Sequence, residues 1–107
     1  MSKPLEGIKI VEVAMWAFVP ACGGMLSDLG ADVVRIDRKD ARPAAAHQVT
    51  QRGRRSVALD LKRPEAREIV LGLAEKADVF VQNFRPGAAE RMGLDYATLS
   101  ERNPRLI

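Results

Sequence analysis

A single cysteine, Cys22, stands among 107 residues, so no internal disulfide can staple the chain, and one thiol cannot build a Cys-rich zinc site. No metal is expected, and a reducing, cytosolic setting is the default that goes with such cysteine usage. Aromatic residues are scarce at 5%. No run approaches the roughly 20 apolar residues of a membrane span. The opening MSKPLEGIKIVEV lacks the basic flank, apolar block and small-residue cleavage site of a signal peptide, and a cytoplasmic location without membrane contact is therefore expected. His47 is the one histidine. It sits in an irregular stretch with no carboxylate at a spacing that marks it as a partner, which makes it a weak acid–base candidate. Repeats and low-complexity tracts are absent too. What remains is 47% apolar and 29% charged residues, the balance of one compact globular domain. At this length folding can hide about two thirds of the unfolded chain's surface, enough for a core without cross-links.

Short apolar runs alternate with amphipathic stretches, the pattern of strand–helix units feeding a parallel sheet. Ile8 to Val13, Asp32 to Asp37, Ser56 to Leu59 and Val79 to Val81 read as strands, rich in β-branched residues and short. A helix is expected from Pro20 to Leu29, with Cys22, Met25, Leu26 and Leu29 on one face and Cys22 as a small core residue. Gly30 is its stop. The strongest helix opens at Pro64, where Ala66, Ile69, Val70, Leu73, Ala74 and Ala77 recur at three- and four-residue steps and call for burial. A brief helix runs through Arg91, closed by Gly93, and Asp95 caps another to about Arg102. Leu106 and Ile107 read as the start of a fifth strand, which suggests a piece of something longer. The fold class is therefore α/β, a Rossmann-like open parallel sheet with flanking helices, incomplete as an N-terminal domain.

An open parallel sheet binds ligands at the carboxyl ends of its strands. That rule nominates Met15 to Pro20, Arg38 to Asp40, Asp60 to Arg63 and Asn83 to Gly87. Three of these four stretches carry Arg or Lys, and the segment from Arg35 to Arg63 holds nine basic residues against three acidic ones, a local +6 in a chain of net +3. Such a patch suits phosphate groups. Nucleic acid is the least favoured taker, because the segment has no interleaved aromatics and no reader motif. An NAD-type site is disfavoured as well. The turn after the first strand, Ala14-Met15-Trp16-Ala17-Phe18-Val19, has no glycine fingerprint, and its bulky side chains would keep a pyrophosphate from the backbone. Asp37 then reads as a surface or loop-anchoring carboxylate, and Trp16 and Phe84 as part packing, part site lining. Asp60 can anchor its own loop.

LEGIKIVEV, LSDLGADVVRIDR, GRRSVALDLKRPEAREIVLGLAEKADVFVQNFRPGAAERMGLDY and LSERNPRLI follow in one order. In these segments the sequence resembles the class III CoA-transferases, the family that includes formyl-CoA transferase, carnitine CoA-transferase and alpha-methylacyl-CoA racemase, over nearly its whole length. The resemblance implies that residues 1–107 form the CoA-binding, Rossmann-like N-terminal segment of such a protein, with coenzyme A or an acyl-CoA as the small molecule bound. It places Arg38 near the adenosine and phosphates, a role suited to a planar, permanent cation. Leu59, Asp60, Leu61 and Lys62 match the segment that cradles the adenine, and Asn83, Phe84 and Arg85 the turn beside the CoA chain. Arg91 matches a second phosphate-binding arginine. Ala17 and Phe18 match the lining of the thioester end, where Phe18 and Val19 depart from a frequent small-residue pair and put acyl preference in question.

No catalytic residue is implied within this chain. Transferases of the family use an aspartate that attacks the acyl-CoA carbonyl, and racemases a His and an Asp, in both cases downstream of the matched segment. The expectation is thus a CoA-binding part of a CoA-transferase, inactive at this length, from a family that forms interlocked homodimers. The alternatives are the same part of an acyl-CoA racemase, or a non-catalytic module that completes its fold with a partner chain.

Overall fold

The structure, a computed structural model, describes residues 2–14, 18–40, 50 and 52–107. Four strands, β1 (Lys9–Val13), β2 (Asp32–Arg38), β3 (Arg55–Leu59) and β4 (Val79–Gln82), form one sheet in the order β3-β2-β1-β4. Every neighbouring pair is parallel. Helix α1 (Phe18–Asp28) joins β1 to β2, and α2 (Pro64–Glu75) carries the chain from β3 back across the sheet to β4. Two short helices, α3 (Ala88–Arg91) and α4 (Tyr96–Arg102), follow. The backbone of Ile107 bonds to both Asp78 and Phe80, donating to the first (3.1 Å) and accepting from the second (2.8 Å). That is the pattern of a parallel neighbour beyond β4.

Side-chain alternation along the strands separates two layers. On the α2 side, Val11, Val13 and Ile36 pack with Val70, Leu71, Ala74, Leu94, Leu99 and Leu106. On the α1 side, Ile10, Val33 and Ala31 form a smaller cluster with Leu26, Val79 and Val81 at its margin. Pro64 opens α2 where its missing N–H costs nothing, with Glu65 in the first turn. At the other end of α2, the Asn103 side-chain amide donates to the Ala74 and Ala77 carbonyls (3.0 and 2.8 Å). Asp95 caps α4 by accepting from the Thr98 backbone (3.2 Å).

The strands and helices read from the sequence are present, with ends that move by one or two residues. Two packing expectations are corrected. Ile69 is 50% exposed; the buried side of α2 runs through Ala66, Val70, Leu71 and Ala74. In α1, Cys22 is exposed and Met25 is 63% exposed, and Leu29, just past the helix, is 46% exposed. The helix turns Pro20, Gly23 and Gly24 to the protein instead. The cause is the sheet beneath it. That face is charged next to Gly23, and only a residue without Cβ fits there.

Candidate functional site

The charged face begins with Glu12, between Val11 and Val13 in the buried part of β1. It is 0% exposed, and Arg35, its register partner on β2, is 3% exposed. Arg54, just ahead of β3, reaches across β2 and donates from Nη1 to Glu12 Oε1 at 2.5 Å. Its side chain is 1% exposed. Arg35 Nε donates to Asp37 Oδ1 (2.7 Å) and lies 3.9 Å from Glu12 Oε2, while Ser56 Oγ donates to Asp37 Oδ2 (2.6 Å). Two carboxylates and two guanidiniums thus tie β1, β2 and β3 together around the level of Glu12, Arg35 and Ser56, three residues below the ends of β2 and β3. A Cβ on Gly23 would stand 1.8 Å from Glu12 Oε1. Burial outweighs both arginines and pushes the Glu12 carboxyl above its ordinary 4.5. Glu12 Oε2, Arg35 Nη1, and Arg54 Nε and Nη2 have no hydrogen-bond partner among the described residues, so the network costs stability as well as supplying it.

Above it lies the rim. The register sets Arg38 beside Leu59 at the ends of β2 and β3, and β4 ends at Gln82 beside Val13, the end of β1. The β2 and β3 tips are therefore neighbours, and the β4 tip lies two strands over, about 10 Å away. At the first tip Arg38 forks onto Asp40, Nε and Nη2 each at 3.1 Å. Lys39 Nζ is 3.7 Å from Asp60 Oδ2, and Arg63 Nε 4.0 Å. Asp60 also accepts from the Lys62 backbone (3.1 Å), anchoring its own turn. Leu59 and Leu61 pack against the core, and Lys62 is exposed. Arg67 holds the turn from below, its Nε donating to the Leu61 carbonyl (2.7 Å).

At the β4 tip, Gln82 Oε1 accepts from the Phe84 backbone (2.6 Å), and the Phe84 ring is half-buried against the core. Asn83 and Arg85 are exposed. Gly87 takes φ 83°, a left-handed turn that suits glycine. Arg91 folds back over it, with Nη1 3.0 Å from where a Cβ would stand. The sequence-derived residues thus form two groups on one rim. Arg38, Leu59, Asp60, Leu61 and Lys62 make the first, and Asn83, Phe84, Arg85 and Arg91 the second. Ala17, Trp16, Arg42 and His47 lie outside the described residues.

The +6 segment is corrected in kind. Arg35 and Arg54 are buried in the network, and Arg38, Lys39, Arg52, Arg55 and Arg63 each face a carboxylate within 4.0 Å. Among the described residues of this segment, most basic side chains are thus laced to carboxylates, and Lys62 stands exposed beside them. Asp37, 19% exposed at its side chain, sits at the edge of the network and joins β2 to β3, so it anchors a strand rather than a loop. Missed from the sequence were Glu12, Gly23, Arg54 and Arg67. A glutamate inside IVEV and a Gly-Gly pair inside a helix were the available signals for the first two. Two hollows of about 180 Å³ lie elsewhere: one at the amino ends of the strands beside Lys9, Asp32, Arg55 and Lys76, the other beside Phe80, Tyr96, Leu99 and Ile107. No helix among the described residues is long and apolar enough to cross a membrane.

The family model described as CoA-transferase family III matches residues 5–107. The chain belongs to CoA-transferase family III. A CaiB/baiF CoA-transferase family protein of Caenorhabditis elegans is 47% identical over 107 residues, covering 100% of this chain and 31% of that protein. A succinate–glutarate CoA-transferase of Agrobacterium fabrum is 37% identical, over 97% of this chain and 31% of its own length. Among solved structures, a CaiB/BaiF family protein from Brucella suis superposes with a TM-score of 0.89 at 33% identity, covering 100% of this chain and 32% of the other. The chain spans about a third of the length of these family III relatives. Their parallel sheet with flanking helices is the architecture found here.

Proposed function

We propose that this chain is the CoA-binding part of a CoA-transferase, taking coenzyme A or an acyl-CoA on the rim formed by the β2, β3 and β4 tips. The observation that carries the reading is that Arg38, Leu59 and Gln82 end three parallel strands at the same carboxyl edge of a family III sheet, with Arg91 folded back over Gly87 in the turn that follows β4. Arg38 and Arg91 supply fixed positive charge for phosphates, and the 59–62 turn supplies backbone groups and apolar carbon for an adenine. Asn83, Phe84 and Arg85 border the remainder of the carrier, and Ala17 the thioester end. The bond-making groups lie outside these 107 residues, so the chain itself turns over no acyl-CoA. The same rim serves an acyl-CoA racemase equally well, since the two differ in the downstream chemistry. Location in the cytoplasm and a homodimer of the longer protein go with this reading.

Calorimetric titration with CoA tests it. Arg38→Ala and Arg91→Ala each weaken binding roughly tenfold or more, the size of a lost charge-assisted contact. Unchanged affinity in both variants, or transferase or racemase turnover by the purified chain, contradicts the reading. A second reading, a module that completes its fold with a separate polypeptide, is favoured by one observation. The hollow beside β4 is bordered by Phe80, Leu94, Leu99 and Leu106, and Tyr96 at its edge is 67% exposed. A larger partner that co-purifies with the chain supports it.

A further inference from the structure

We propose that Asp40 sets the affinity of this rim by occupying Arg38 as an internal stand-in for phosphate, an inference that rests on the CoA-binding reading above. Arg38 gives Nε and Nη2 to the two Asp40 oxygens at 3.1 Å each. This is the planar two-pronged face with which a guanidinium also takes two oxygens of a phosphate. The two ligands compete for one fork. Both side chains are 62% exposed, so the pair is weak in water and opens readily. It does not open by titration near neutrality, because the bond from Arg38 holds the Asp40 carboxyl below its ordinary range. The carboxylate is charged whenever a phosphorylated ligand arrives.

The neighbouring acid behaves differently. Asp60 is 26% exposed and accepts from the Lys62 backbone, so its carboxylate is part of the β3 turn while it faces Lys39 and Arg63. Asp40 accepts from its own backbone N–H, and its fork on Arg38 is the contact that a phosphate must displace. Removing Asp40 frees the fork and takes one negative charge from the path of a polyanion. Asp32 provides the contrast. It is an exposed carboxylate on Arg55 at the opposite end of β2, with the same effect on net charge.

The test is calorimetric titration of the purified chain at low ionic strength, with CoA and with pantetheine as a phosphate-free probe. Asp40→Ala binds CoA about threefold or more tighter than wild type, while pantetheine binding is unchanged and Asp32→Asn leaves CoA affinity where it was. Asp40→Ala that binds CoA no better, a gain shared equally by pantetheine, or an equal gain in Asp32→Asn overturns the proposal. Arg38→Ala separates the two levels. If it weakens CoA binding while Asp40→Ala brings no gain, this inference alone fails. If it leaves CoA binding intact, the assignment of Arg38 to phosphate fails with it.

Discussion

Gly23 has no space for a side chain, because the Glu12 carboxylate fills the position where a Cβ would stand. Gly23→Ala forces that carboxylate away from Arg54, in a place closed to water, and about 2–4 kcal/mol of stability is lost. A urea midpoint equal to wild type contradicts this. Glu12 makes a second, opposite kind of prediction. Burial raises its carboxyl above 4.5, so the folded chain keeps a proton that the unfolded chain has released. The stability this contributes is complete below pH 4.5 and drains away as the pH rises through the raised value. Glu12→Gln cannot make that exchange. Its unfolding free energy, measured in urea from pH 4.5 to neutrality, falls less steeply than that of wild type; parallel curves contradict the assignment. A buried ionic cluster was not legible in the sequence, since charge in a string of letters says nothing of which cations meet which carboxylates. Arg35 and Arg54 counted as surface charge until the register brought them over Glu12.

The elements divide in the same way. Helix α2 was readable because an apolar residue recurs at each turn, and packing follows that period; only Ile69, at the margin of the stripe, falls outside the buried arc. Helix α1 misled, because Met25 and, just beyond its end, Leu29 are exposed while two glycines face in. Size and hydrophobicity predict burial only where the surface opposite is apolar, and here it is an ion cluster. Capping was legible at Asp95 and not at Asn103. The Asn103 amide reaches carbonyls 29 and 26 residues back, at Ala74 and Ala77, a long-range bond that no local motif announces. Asn103→Ala leaves both carbonyls without that donor and costs about 1–3 kcal/mol. The loss is read from thermal or urea unfolding, and a neutral variant contradicts the role of Asn103 as the tie between α4 and the end of α2.

For the whole molecule, the alternation of strand and helix and the rule that ligands meet a parallel sheet at its carboxyl ends were sufficient to nominate the rim. They could not say how the tips are ordered. The order β3-β2-β1-β4 makes Arg38 and the 59–62 turn neighbours and sets Asn83 to Arg91 two strands from the first and three from the second, so the proposed site is a ledge with two contact groups. An extended phosphorylated carrier longer than that gap of about 10 Å can touch both. A rival surface exists at the opposite end of the sheet, where Lys9, Arg55 and Lys76 border a hollow of about 180 Å³. The most direct measurement is a CoA titration of the ¹⁵N-labelled chain followed by amide chemical shifts. Changes centred on Arg38 to Asp40, Leu59 to Arg63 and Asn83 to Arg91 are the predicted result. No saturable shifts, or shifts centred on Lys9, Asp32, Arg55 and Lys76, would contradict the account.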